Sequence, residues 1–465
     1  MFKEYFAENE PVRNKILGIA IPVMFQMLAD YILNITDTAF IGQYDVRGLS
    51  AITNSLFPYF MFLAFFFATS KGTTILISQS LGANKPKEAR RYAEVSFIFN
   101  QVLSFVYFLV LFFFAKNIIS LVGAKSEILD MGTNYIQIIS FQFLFFGFVM
   151  SANSVFEGKG ITYPIMIASI LKTILNIILD YLLIFGHFGF PELGLKGAAI
   201  ATLISQFIAC VVLLIFVFNN RSEFILRLTG IIRTNLKIYL KSFKLGVPAG
   251  LDFVLWVFGQ NILILMLNKL NPLFSGFYGV FSLILSLSLN LYLGISVAAM
   301  NLVGKSTGAN KPKDALMYGN YCMFYSLFIC LLVAVAFVIF PKNILSLFMK
   351  EATHIDNLYS NLYIMAIILF PTALNVVGGN AIRGTGNTMW MVWTQIPGTI
   401  FVVGFSYLFV FVLNMGITGV LIAVLLDELL RGIANYIKFF LFCYKRINKE
   451  VITQSNQELP QIDTD

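Results

Sequence analysis

The stretch Gly82-Ala83-Asn84-Lys85-Pro86-Lys87 recurs unchanged as Gly308-Ala309-Asn310-Lys311-Pro312-Lys313, 308 − 82 = 226 positions later. Six small or polar residues stand out in a chain dominated by Phe, Leu and Ile. The same offset relates other segments. Lys116-Asn117-Ile118-Ile119-Ser120-Leu121 falls on Lys342-Asn343-Ile344-Leu345-Ser346-Leu347. Gly158, Gly160 and Thr162 fall on Gly384, Gly386 and Thr388, and Ile21-Pro22 falls on Val247-Pro248. One offset shared along the whole length marks an internal duplication.

Composition says what was duplicated. The 465 residues are 58% hydrophobic and 12% charged, with a mean hydropathy of +0.80. A soluble domain carries about 25% charged residues, and about 20 consecutive apolar residues suffice to span a bilayer. The chain therefore reads as an all-α integral membrane protein. Polar breaks divide it into twelve predicted spans, near 14–41, 50–78, 90–115, 128–157, 162–187, 195–220, 240–268, 274–303, 317–340, 355–383, 387–413 and 417–445. The charged start, with no small-residue cleavage site, reads as the lead into an uncleaved first span. The net charge of +8 points to no nucleic-acid partner; its distribution is what matters in a bilayer protein.

Lys and Arg concentrate on one side. Lys3, Arg13 and Lys15 precede span one. Lys85, Lys87, Arg90 and Arg91 follow span two. Arg221, Arg227, Arg233, Lys237, Lys241 and Lys244 flank the joint after span six. Lys305, Lys311 and Lys313 follow span eight, and Lys438, Lys445, Arg446 and Lys449 close the chain. The opposite side is poorer, with Lys116, Lys125, Lys342 and Lys350. This excess places both termini in the cytoplasm of a cell-membrane protein. Six spans is an even number, so both copies enter from the same side and form two parallel-repeat six-helix bundles related by an axis along the membrane normal. The expected parts are an N-lobe at 1–220, a cytoplasmic linker at 221–240, a C-lobe at 241–448 and a disordered tail at 449–465. Two bundles around a V-shaped cavity suit alternating access.

Cys210, Cys322, Cys330 and Cys443 sit alone in apolar runs, without metal-ligand spacing. The two histidines, His187 and His354, lie in loop-like stretches. No nucleophile–base set is apparent, so an enzyme is not expected, and no cofactor is called for.

Several short motifs together carry a resemblance. They are Pro22, Asp37-Thr38-Ala39-Phe40-Ile41-Gly42 at the end of span one, and Ser78-Gln79 with Gly82-Ala83 at the end of span two. Asn176 with Asp180-Tyr181 in span five, and Gly194 with Gly197-Ala198-Ala199-Ile200-Ala201-Thr202 opening span six, complete the set. In this order, on a duplicated six-span frame, the chain resembles the MATE (multidrug and toxic compound extrusion) family, within a wider group that includes lipid-oligosaccharide flippases. Its acidic cluster resembles DinF-like rather than NorM-like members. NorM-like members carry a glutamate eight residues after the span-seven proline, where this chain has Trp256.

Subtracting one half from the other isolates a polar set. At offset 226, Asp37 meets Leu263, Asn176 meets Val402 and Asp180 meets Ser406; in span six, aligned Gly197 to Gly419, Thr202 meets Val424. Asn176 and Asp180 are spaced i, i+4, as are Ala198 and Thr202, so each pair shares a helix face. An ionised Asp at a helix centre costs about 2.5–3.5 kcal/mol on insertion scales, so the two acids need a compensating cation, proton or water. Hard oxygen donors suit Na⁺ rather than soft metals; two close carboxylates can equally share a proton. The resemblance implies that Asp37, Asn176, Asp180, Thr202 and the carbonyl of Ala198 form a coupling-cation site for Na⁺ or H⁺.

Further intramembrane polar residues are Lys71, expected either to act as a tethered cation on Asp37 or Asp180 or to snorkel, and Lys172, nearer the cytoplasmic end. Asp252, with Trp256, is a candidate to face a substrate cavity. Asp427 and Arg431, i and i+4, are expected to pair structurally. Forty-nine Phe and sixteen Met supply surface on which aromatic cations can bind. The expected function is secondary active export of amphipathic, often cationic, drug-like compounds by a monomer, in antiport with Na⁺ or H⁺. The alternatives are a lipid-linked oligosaccharide flippase on the same fold and a non-transporting receptor or scaffold.

Overall fold

The computed structural model describes residues 10–121, 126–219, 224–232, 235–348 and 352–457. Lys3, Lys125, Arg221, Arg233 and Lys350, used above for orientation, lie outside them. The chain is all-helical. In order come α1 (Glu10–Tyr44), α2 (Val46–Gly82), α3 (Pro86–Phe113), α4 (Phe143–Lys159), α5 (Tyr163–Phe185) and α6 (Leu195–Asn219). The second half holds α7 (Leu236–Leu270), α8 (Pro272–Gly308), α9 (Pro312–Ile339), α10 (Asn361–Gly384), α11 (Met389–Tyr407) and α12 (Gly416–Gln457). Nine helices among the described residues are long and apolar enough to cross a membrane. The segment Ile128–Ser140, bent 53° against α4, joins it to make a tenth. The frame is completed by α2, many of whose side chains lie outside the described set, and by α12, whose apolar run is broken by Asp427, Glu428 and Arg431.

The duplication extends to the helix ends. α1 and α7 start at 10 and 236 and end at 44 and 270; both differences are 226. The bounds of α2 and α8, and of α3 and α9, differ by the same amount. Pro22 and Pro248 lie inside α1 and α7, where each removes a helix hydrogen bond.

The recurring Gly-Ala-Asn-Lys-Pro-Lys stretch is a helix stop followed by a helix start. Asn84 and Asn310 take left-handed backbone angles, φ 56° and 54°, a conformation asparagine tolerates better than most residues. The next N–H reaches back to the ending helix, Lys85 to the Ser80 carbonyl at 2.8 Å and Lys311 to the Ser306 carbonyl at 2.9 Å, as in a Schellman turn. Pro86 and Pro312 then occupy the first turn of α3 and α9, where a missing N–H costs nothing.

The Gly-x-Gly-x-Thr pattern is explained in the same way. A Cβ on Gly158 would lie 2.7 Å from Ile77, and one on Gly384 would lie 2.6 Å from the Met300 carbonyl, so α4 and α10 cross their neighbours closely. Gly160 and Gly386 have φ 76° and 87°. Thr162 and Thr388 stand at the N-caps of α5 and α11. A polar contact is duplicated too: Ser70 Oγ meets Ser154 Oγ at 2.9 Å, and 226 positions on, Asn380 Nδ2 donates to Ser296 Oγ at 2.7 Å.

The chain forms two compact units. One comprises Leu17–Leu81 and Lys85–Phe258; the other comprises the start to Ile16, Gly82–Asn84 and everything from Gly259. The first is cored around Phe97, Phe156 and Leu213, with a second cluster around Phe66, Phe143 and Ile119. The second is cored around Phe281, Tyr292, Leu362 and Val420. Within the first unit, α2 and α7 cross on small residues: a Cβ on Gly72 would fall 1.9 Å from the Ser242 carbonyl oxygen, and one on Gly246 would fall 1.6 Å from that of Ala68. Cys210, Cys322, Cys330 and Cys443 are free and buried. Past residue 449, where a disordered tail was expected, α12 continues to Gln457; Lys449, Glu450 and Gln454 are good helix formers. Residues 458–465 lie outside the description.

Candidate functional site: the polar seam of α1, α5 and α6

α1 and α5 lie side by side in the same direction, joined by a ladder of side-chain hydrogen bonds. Thr162 Oγ1 donates to the Ile19 carbonyl at 2.8 Å, Ser169 Oγ to the Gln26 carbonyl at 3.4 Å and Thr173 Oγ1 to the Ala29 carbonyl at 3.1 Å. The register holds because 162 − 19 and 169 − 26 are both 143. Each hydroxyl reaches a main-chain oxygen that otherwise bonds only within its own helix. Higher in the ladder, Lys172 Nζ sits 2.6 Å from Asp30 Oδ1, to which Ser169 also donates at 3.0 Å.

The ladder ends in the acid cluster. Asn176 and Asp180 are fully buried. The Thr202 backbone N–H lies 3.1 Å from the Asn176 side chain, and as a donor it must face the amide oxygen. The amide nitrogen consequently donates to Asp37 Oδ1 at 2.8 Å and to Asp180 Oδ2 at 3.1 Å. Asn176 thus holds the two carboxyl groups, one from α1 and one from its own helix, on a single amide nitrogen. Asp180 Oδ1 is buried and has no hydrogen-bond partner among the described residues. Thr202 Oγ1 donates to the Ala198 carbonyl at 3.0 Å. Asp37, Asn176, Asp180, Thr202 and Ala198 thus form one connected group on three helices.

Lys71 is elsewhere. Its Nζ lies 3.0 Å from Glu157 Oε2 on α4, and Thr74 Oγ1 approaches the same oxygen at 3.4 Å. Its carboxylate is therefore neither Asp37 nor Asp180. Asp252 and Trp256 are one turn apart on α7. Trp256 is exposed and continues an aromatic run, 6.4 Å from Phe253, which lies 5.0 Å from Phe67.

Two acids escaped the sequence reading. Glu157 was hidden among the glycines around it; the sign was its repeat counterpart, Arg383, of opposite charge (157 + 226 = 383). Asp30 stands two turns before Asp37 on α1, at a spacing that puts both on one side of the helix.

The second unit has a different polar core. Arg431 bridges Asp427 at 2.6 Å and Glu428 at 2.9 Å, and its remaining nitrogen donates to Gln395. Glu428 accepts from Asn375 Nδ2 at 2.9 Å, Asn375 Oδ1 accepts from Asn435 at 2.7 Å, and Asn435 accepts from Trp390 Nε1 at 2.9 Å. The expected Asp427–Arg431 pair is part of a buried network on α10, α11 and α12. Among the described residues, no group of three or more His, Cys, Asp or Glu could hold a metal ion.

A parallel duplication of six helices, with a buried acid cluster in one half, defines a multi-pass membrane protein with a transporter-like frame. The MatE family profile matches residues 22–182 and 248–408. Its two matches are themselves 248 − 22 = 226 positions apart. The chain belongs to the MATE family. It is 27% identical over 453 residues to "Probable multidrug resistance protein NorM" of Thermotoga maritima, covering 94% of this chain and 95% of that one. It is 25% identical over 448 residues to "Multidrug export protein MepA" of Staphylococcus aureus, with the same coverages. Its fold matches a solved outward-facing multidrug resistance MATE family transporter of the MOP superfamily, with TM-score 0.87, 20% identity and coverages of 94% and 97%. A MATE structure in complex with MaL6 matches equally well, with TM-score 0.87 and 19% identity.

Proposed function

We propose that this protein is a proton-coupled exporter of amphipathic, cationic compounds, working by alternating access, with Asp37 and Asp180 carrying the coupling proton. The observation that carries the proposal is the Asp37–Asn176–Asp180 bridge. Two carboxyl groups on different helices converge on one amide nitrogen beside the buried Asp180, an arrangement that a proton on the pair stabilises and its loss drives apart by like-charge repulsion. The names of the relatives, a multidrug resistance protein and a multidrug export protein, supply the substrate class. Na⁺ suits the site less well. A hard cation needs oxygen ligands, yet the atom of Asn176 turned toward both carboxyl groups is its amide nitrogen, and its oxygen is taken by Thr202.

Coupling follows if proton and drug favour opposite access states. Protonation lets α1 and α5 close on one another at the cluster; deprotonation opens them, and drug binding favours the open arrangement. The test is ethidium efflux from proteoliposomes under a pH gradient alone and under a Na⁺ gradient alone. The expected result is efflux under the pH gradient, abolished by Asp37→Asn and by Asp180→Asn. Efflux under the Na⁺ gradient alone overturns the choice of ion. No dye movement under either gradient overturns the exporter reading, and lipid flipping is then the activity to assay.

A further inference from the structure

Lys172 and Asp30 have no counterparts in the repeat: 172 + 226 is Gly398 and 30 + 226 is Trp256. The contact between Ser70 and Ser154, which fixes helix against helix, was kept in both halves. The Lys172–Asp30 pair instead accompanies the acid cluster, on the same two helices and in the same half. Lys172 is one turn before Asn176 on α5, and Asp30 is two turns before Asp37 on α1, so the ammonium sits directly beneath the carboxyl pair. Asn176, one turn beyond Lys172 on α5, already holds Asp37 Oδ1 at 2.8 Å. Both partners are partly exposed, at 20% and 31%, so neither is sealed in the packed interior. If it leaves, Asp30 keeps its bond from Ser169 at 3.0 Å and is not orphaned.

We propose that Lys172 is an internal counter-ion for the acid cluster, held on Asp30 while the cluster carries its cation and drawn to Asp37 when the cation leaves. It is a positioning residue, and the inference rests on the exporter reading given above. An empty cluster would bury uncompensated negative charge. A lysine stem with four rotatable carbons can bring a cation to it without waiting for one from solution. The emptied state is then stable long enough to bind drug, and the returning cation displaces the ammonium to Asp30. Among the described residues of these helices, Lys172 is a cation whose partner, Asp30, keeps a second hydrogen bond when the ammonium departs. On α1 the charged groups near the seam are Asp30 and Asp37, with the Tyr31 phenol; on α5 they are Lys172 and Asp180, with Tyr181; α6 carries Lys196, exposed at its first turn two residues before Ala198, and the Cys210 thiol; α4 carries Glu157 and Lys159 at its last turn.

The test uses full-length protein in liposomes with Asp30→Asn, Lys172→Met, Lys172→Arg and the double variant Asp30→Asn/Lys172→Met. Removing Asp30 alone frees Lys172 to occupy the cluster, and ethidium efflux under a pH gradient is expected to fall about tenfold, the effect of about one pH unit of cation affinity. Removing Lys172 as well takes away competitor and counter-ion together, so the pH dependence of efflux in the double variant is expected to shift to the opposite side of wild type, as in Lys172→Met. Lys172→Arg is expected to keep the wild-type pH dependence. A double variant whose pH dependence matches that of Asp30→Asn overturns the inference, since a merely structural pair gives no reason for the shift to change direction when Lys172 is also removed. Infrared absorption of protonated carboxyl groups gives a readout independent of transport. The pH at which the band contributed by Asp37 and Asp180 disappears is expected to fall by about one unit in Asp30→Asn and to rise by about one unit in Lys172→Met. If that pH is unchanged in both, the counter-ion fails. If it moves as expected while wild type transports no dye, the exporter reading fails and the counter-ion stands.

Discussion

Lys71 Nζ lies 3.0 Å from Glu157 Oε2, joining α2 to α4 by an ion pair whose carboxylate is 9% exposed. The repeat has Val297 and Arg383 at these positions, so the pair is specific to the first half. Removing one partner of a buried pair costs more than removing both, because the survivor stays charged and unpaired. Lys71→Met is expected to lower the melting temperature in detergent, and Lys71→Met/Glu157→Gln to recover part of the loss, with a coupling of about 1–2 kcal/mol. Additive effects of the two changes would place the pair in contact with water rather than in the protein interior.

The Asn176 side chain touches both carboxyl groups and α6 together. Asn176→Ala is expected to leave the protein folded and to cut pH-driven ethidium efflux more than tenfold. Loss of a bridging hydrogen-bond pair to charged partners is worth about 1.5–3 kcal/mol, enough for that effect. Efflux near the wild-type level would remove Asn176 from the coupling machinery.

The crossing of α2 and α7 has no room for a methyl group. Gly72→Ala would place Cβ 1.9 Å from the Ser242 carbonyl oxygen, whereas Cβ at Gly404 meets nothing within 4 Å. The expected outcome is a clear fall in melting temperature and expression for Gly72→Ala, and little change or slight stabilisation for Gly404→Ala, where alanine is the better helix former. Fluorescence-detected size-exclusion chromatography after heating would measure both.

Arg431 is the cation between Asp427 and Glu428, all three at least nine-tenths buried. Arg431→Met leaves two acids facing one another and is expected to destabilise the second unit by about 3–5 kcal/mol. Asp427→Asn in the same protein should cost less, since Glu428 remains as partner. Thermal unfolding in detergent decides between them.

Asn84 and Asn310 hold the same left-handed angle in the two copies of the turn. Asn84→Ala is expected to cost about 1 kcal/mol through backbone strain, and Asn84→Gly to be neutral. The same pair of changes at Asn310 should give the same pattern, and the two alanine changes should add. A cost at one turn only would mean that the other is not under the same strain.

Residues with a strict spacing told most about the frame. The offset of 226 recurs to the residue in helix ends, turn conformations and glycine crossings, because repeated backbones impose repeated local requirements, although the spans read from apolar runs missed those ends by several residues. Subtracting the halves found the acid cluster for the complementary reason: a group required by function at one place need not be copied. Contacts between helices distant in sequence were less accessible. Lys71 was visible as an unpaired-looking charge, but nothing in its neighbourhood names Glu157, 86 residues away. The orientation of the Asn176 amide was equally out of reach, since it depends on the main-chain N–H of Thr202 on another helix. Lys172 was noticed and Asp30 was not, because periodicity along one helix says nothing of what its neighbour brings to the same level.

The single loaded seam has a consequence for energetics across the membrane. On the proposed proton coupling, the Asp37–Asp180 pair would hand over one positive charge per emptying. Exchange of that proton for a singly charged organic cation moves no net charge, so the membrane potential, worth about 2.3 kcal/mol per elementary charge per 100 mV, would do no work on the cycle. A duplicated protein with two loaded seams would be electrogenic. With one, on that coupling, accumulation would be set by acidity alone, and a cell using it could expel such compounds even when depolarised.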